Sequence, residues 1–170
     1  MREFGRIETV IWRNGRFRDL SDDARLLWLY VLCCPHGNAV GCFVLPDGYI
    51  AADLDWSFER VSETVSELLA KGRIDRDEAT SLTRVRGWWG HNTIENPNVA
   101  KAAMKAILSL PKCGVLSRFL TDFEPFPIPL AKLLHERFPN GYPNTIETKE
   151  PEPEPETLLY QDKTRSMGAV

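Results

Sequence analysis

An α+β fold, three helices followed by a β-hairpin, is predicted for this 170-residue chain by three observations. A capped helical pattern with one apolar stripe begins at Ser21. A short β-like run, 42–45, separates it from two further helical stretches. Two more β-like runs, around Ile74 and Val85, then flank a polar turn.

The first helix follows from "DLSDDARLLWLYVL". Ser21 is a natural N-cap, and Asp22 and Asp23 suit the positive end of the helix dipole. Ala24, Leu27, Trp28 and Val31 recur at helical spacing, and Pro35, Gly37 and Asn38 end the pattern. "GCFVL" is too short for a helix and reads as a strand. Pro46 opens a second helix, "PDGYIAADL", at the position that tolerates proline best. "DWS" is a turn, and Ser57 caps a third helix, "FERVSETVSELLAKG", with Phe58, Val61, Val65, Leu68 and Leu69 as its buried stripe and Gly72 at its left-handed end. In "RIDRDEATSLTRVRGW", pairing Ile74 with Val85 points both inward and sets Asp75 opposite Arg84 and Arg73 opposite Arg86. Asn96 caps and Pro97 begins a fourth helix with Val99, Ala103, Ile107 and Leu110 on its apolar side. Residues 116–123 and 130–138 are two shorter helical candidates. Three regions result: 1–95, a helical extension 96–140, and a tail 141–170. The tail's Glu/Pro alternation lacks core-forming periodicity and is expected to be disordered.

Helix, strand, helix, turn, helix, hairpin is the order of a winged helix-turn-helix, in which the third helix usually enters the DNA major groove and the hairpin, the wing, lies beside the phosphates. On that geometry the candidate DNA contacts are Ser57, Arg60 and Thr64 at the start of the third helix, and Arg73, Arg76, Arg84 and Arg86 on the hairpin, where arginine forks suit phosphate. Lys101 and Lys105, one turn apart on the fourth helix, join them. A further basic set, Arg2, Arg6, Arg13, Arg16 and Arg18, precedes the first helix. Against these stand Glu59, Glu63 and Glu67, an acidic stripe on the third helix that repels phosphate. The five tryptophans read as core. Leu158, Leu159 and Tyr160 form an apolar island in the tail, expected to be a short docking segment for a protein partner.

Charge supports no strongly basic footprint. The net charge is −3, from 21 Lys+Arg and 24 Asp+Glu. Residues 147–170 hold three basic and six acidic side chains, so the remaining 146 residues are neutral. Local patches therefore matter more than the total. The four cysteines and the scattered His36, His91 and His135 fit no zinc spacing, and the thiols read as reduced and largely buried. No phosphate-binding glycine loop and no nucleophile motif occurs, so neither cofactor nor enzymatic activity is expected. With no apolar run of membrane-spanning length and no secretory signal pattern, a cytoplasmic location is expected.

The segments "LSDDARLLWLYVLCCPHGNAVGCFVLP", "IAADLDWSFERV" and "LLAKGRI" together resemble the N-terminal domain of phage and prophage replication-initiation proteins of the replisome-organiser or helicase-loader type. "HNTIENPNVAKAAMKAILSLPKC" is similar to the segment after the wing in such proteins. The likeness runs from about Ile7 to Cys113. It implies duplex DNA binding by the winged helix and a C-terminal part that recruits a replicative helicase or its loader, in a bacterial host cell. The alternative is a protein-interaction module, a phage regulator or inhibitor of a host complex, that keeps the winged-helix shape and does not bind DNA.

Overall fold

The computed structural model describes residues 5–121 and 126–139. The tail expected to be disordered, with the expected docking residues Leu158, Leu159 and Tyr160, lies outside the described residues, as does Arg2. The described chain is α+β, with seven helices and one three-stranded antiparallel sheet.

A 3-10 turn, Thr9–Arg13, and a one-turn helix α1, Gly15–Arg18, lead into α2, Asp22–Cys33. Ser21 caps α2 by accepting from the Ala24 amide. Arg25 fixes the entry, donating from Nε to the Phe17 carbonyl at 3.3 Å and from Nη2 to the Arg18 carbonyl. The Arg18 carbonyl is one that the end of a short helix leaves free, while the Phe17 carbonyl also accepts from the Leu20 amide at 3.2 Å. The loop from α2 to strand β1, Cys42–Val44, is built by Asn38, which donates to the Cys42 carbonyl at 2.6 Å and accepts from the Val40 amide at 3.0 Å. Such local amide bonding makes asparagine a turn residue. Gly41, at φ +67°, ends this loop with its Cα face against the Trp88 indole, where a Cβ would collide.

Helix α3, Asp47–Leu54, follows β1. Its Asp53 accepts from the Tyr30 hydroxyl at 2.7 Å and lies 3.4 Å from His36 Nε2, while His36 stacks on Tyr49 at 4.4 Å. The "PH" of the loop and the "IAADL" of α3 are thus joined by packing and hydrogen bonds. Asp55, at φ +54°, makes the turn into α4, Phe58–Ala70. Ser57 caps α4 through the Arg60 amide. Val61, Val65 and Leu68 are buried as the periodicity predicts. Phe58, at 65% exposure, and Leu69, at 38%, are not: they fall at the edge of the stripe and face solvent.

The hairpin is β2, Ile74–Arg76, and β3, Leu82–Val85. Its register is the predicted one, Ile74 opposite Val85 and Asp75 opposite Arg84, with the Arg86 amide donating to the Arg73 carbonyl at 3.0 Å. The sheet order is β1-β3-β2, so β3 is central. Side chains alternate across a strand. One face carries Phe43, Ile74, Thr83 and Val85, and the other Cys42, Asp75, Leu82 and Arg84. All four residues of β3 are buried, because both faces are covered.

The second cover comes from the extension. After a 3-10 turn, Trp88–Gly90, with both tryptophans buried, α5 runs Pro97–Leu108, α6 Gly114–Thr121 and α7 Ile128–Arg137. Asn96 caps α5, with Pro97 in its first turn, as predicted. The last two helices begin two residues earlier than the periodicity places them. Helix α6 packs on β3 and α5 packs on α7. Val115, Leu116, Phe119 and Leu130 are buried in the same core as Leu27, Val61 and Leu82. No described helix is long and apolar enough to cross a membrane.

Candidate nucleic-acid interface

The proposed contact residues fall into three groups once folded. The first is held between helices. Arg60 sends Nε and Nη2 to the two oxygens of Asp23, at 2.7 and 2.6 Å, and its guanidinium lies 4.3 Å from the Trp56 ring centroid. This bidentate bond, of the kind arginine suits, pulls the Asp23 carboxyl below its ordinary range. Thr64 is buried, and its hydroxyl donates to the Arg60 carbonyl at 2.6 Å. Sequence spacing places Thr64 on the groove-facing side; it is buried instead. Glu67 accepts from both the amide and the hydroxyl of Ser21, at 2.8 and 2.6 Å, and those bonds hold its carboxyl low. One face of α4 is therefore clamped to the start of α2. Its open face presents Glu59, Ser62, Glu63 and Ser66, with Phe58 at one end and Leu69 at the other. Ser57 is exposed at the N-cap.

The second group is turned inward from the hairpin. Arg84 is 2% exposed, under α6, with Nη1 3.5 Å from Asp75 and its guanidinium 5.7 Å from the Phe119 ring centroid. The expectation that Arg84 meets phosphate is corrected: both faces of the central strand are filled. Arg76 folds back along the sheet, donating to the Leu45 carbonyl at 2.8 Å and pairing with Asp47 at 2.7 Å, with its side chain 7% exposed. It too is unavailable. The hairpin turn itself carries Asp77 and Glu78. Asp77 accepts from the Thr80 amide and hydroxyl at 2.9 and 2.7 Å.

The third group remains open. Arg86 has half its side chain exposed, with Asp75 no nearer than 3.9 Å. A Cβ on Gly72, at φ +61°, would lie 3.6 Å from Arg86 Nη1, which brings that guanidinium over the start of β2. Arg73 is half-buried there, with its Nε buried and without a hydrogen-bond partner. Desolvation lowers its pKa first, and the charge of nearby Arg16 lowers it further, against the pull of Asp19. Arg16, Arg73 and Arg86 thus converge at the base of the hairpin. Spacing alone did not show this cluster, because α1 joins it through tertiary packing. Lys101 and Lys105 are exposed on α5.

Trp88 and Trp89 are buried, the Trp88 indole donating to the Ala39 carbonyl at 2.9 Å. Trp12, expected in the core, is 62% exposed and meets Phe17 edge-on. Cys34 and Cys42 are buried, Cys33 is exposed and Cys113 half-buried. Burial pushes the Cys42 thiol up to about 12. Among the described residues no group of three His, Cys, Asp or Glu side chains is placed to hold a metal ion. No protein-family model, no curated protein and no solved structure matches the chain.

Proposed function

We propose that the protein binds duplex DNA through the phosphate backbone as a winged-helix protein, in the initiation of phage or prophage replication, and recruits a replication partner there. The element order α2, β1, α3, α4, β2, β3 and the sheet order β1-β3-β2 support the winged-helix reading. The observation that carries DNA binding is the convergence of Arg16, Arg73 and Arg86 at the hairpin base. Like charges held together repel, and a polyanion relieves that cost. Docking by the usual route, α4 in the groove and the hairpin tip on the backbone, sets Glu59, Glu63, Asp77 and Glu78 against phosphate. The basal arginines therefore bear the contact, which follows the backbone and reads little sequence.

The test is fluorescence anisotropy on a labelled duplex between 50 and 200 mM salt. Affinity is expected to fall linearly on log–log axes, and R16E/R86E to make the slope shallower by about two, at about 0.9 per phosphate contact. A slope that R16E/R86E leaves unchanged overturns this docking.

One observation favours a second reading, a protein-interaction module. The open face of α4 combines exposed Phe58 and Leu69 with Glu59 and Glu63. Apolar anchors rimmed by carboxylates suit a basic protein surface. Duplex binding that is absent at 50 mM salt, with a bound partner lost in F58A/L69A, is the outcome of that reading.

A further inference from the structure

From the charge on α5, α6 and α7 we infer that the helical extension is a second phosphate-binding surface, separate from the hairpin base. The inference rests on the DNA-binding reading and adds a site to it. Among the described residues of 97–139, Lys101, Lys105, Lys112, Arg118, Lys132 and Arg137 are basic, and Glu136 is the one acid. With Asp122 and Glu124, which lie outside the described residues, segment 97–139 carries a net charge of +3 in a chain whose total is −3.

Every one of the six cations is exposed, and none is ion-paired to a carboxylate among the described residues. Residues 5–96 are mixed: Arg6, Arg13, Arg16, Arg18, Lys71 and Arg73 have no ion-pair partner among the described residues either. There Arg25, Arg60, Arg76 and Arg84 each have a carboxylate partner. What sets the extension apart is the single carboxylate among its described residues, which leaves six exposed cations open to an external anion.

Helix α5 gives the set a direction. Ala100, Ala103, Met104 and Ile107 are its buried side. Lys101 and Lys105 stand four apart on the opposite side, about 6 Å along the axis at 1.5 Å per residue. Successive phosphates of one DNA strand advance 3.4 Å along the duplex axis, so two flexible lysine stems at this separation can reach neighbouring phosphates. Helix α7, packed on α5, carries exposed Lys132 and Arg137.

The experiment uses the full chain and the same salt titration, comparing K101E/K105E, K101R/K105R and R16E/R86E, with thermal unfolding showing that each is folded. K101E/K105E is expected to flatten the log–log slope by about two while K101R/K105R keeps it, since both residue types neutralise phosphate. A slope unchanged in K101E/K105E but flattened in R16E/R86E overturns the inference and leaves the hairpin-base reading intact. The reverse pattern overturns that reading and upholds the extension. Salt-independent or absent duplex binding in the unaltered chain overturns both. The acidic segment 147–170 is the competing occupant. If K101E/K105E changes the slope only when that segment is present, and not in a chain ending at Ile146, the lysines hold the tail and the inference fails.

Discussion

Arg84 shows how a single side chain separates local pattern from tertiary outcome. Its alternation with Thr83 and Val85 says only that it shares a face with Leu82 and Asp75. Whether that face meets water depends on α6, thirty residues away, which lays Phe119 over the guanidinium. A buried ion pair contributes little over an apolar replacement, yet removing one partner strands the other charge. R84A is therefore expected to lower the unfolding free energy by about 3–5 kcal/mol in chemical denaturation, with R84M/D75N recovering most of the loss. A loss below about 1 kcal/mol would show that Asp75 is solvated and that α6 does not seal the sheet.

Between elements, the strongest polar link ties α2 to α4: Arg60 on Asp23, and Glu67 on Ser21. Both carboxyls are held below their ordinary values of 3.8 and 4.5. A depressed carboxyl stabilises the fold fully above its unfolded value, and the contribution disappears as pH falls through the folded one. Melting temperature is thus expected to fall as pH drops below about 4.5, and D23N/E67Q is expected to start lower at neutral pH and show a flatter acid limb. Equal acid limbs would mean these bonds do not persist in solution. The clamp engages Arg60, and Thr64 beside it is buried: helical spacing gives the side of α4 they share, not what that side meets. The caps were readable because Ser21, Ser57 and Asn96 act within three residues of themselves. The hairpin register was readable because the apolar pair Ile74 and Val85 admits one inward alignment.

For the molecule as a whole, the β-hairpin, three helices and their order could be read from periodicity and turns, which are short-range properties. The buried core crosses residue 95. Val115, Leu116, Phe119 and Leu130 belong to the same buried cluster as Leu27 and Leu82. A fragment of residues 1–95 would bare that cluster, and it is expected to aggregate or to lose its cooperative thermal transition, whereas residues 1–146 should melt in one step by calorimetry. A folded, sharply melting fragment 1–95 would contradict the shared core. The basic cluster of the hairpin base was hidden for a similar reason, since it needs Arg16 brought from 57 residues before Arg73 and 70 before Arg86.

The hairpin places Arg73 and Arg86 at one end and Asp77 and Glu78 at the other, which makes it an electric dipole fixed to a rigid body. Near a highly charged rod, such a body feels a torque before it feels contact. Molecules would arrive already turned, arginine end leading and turn trailing, so most encounters would begin in one orientation, and added salt would randomise the approach as well as weaken the grip.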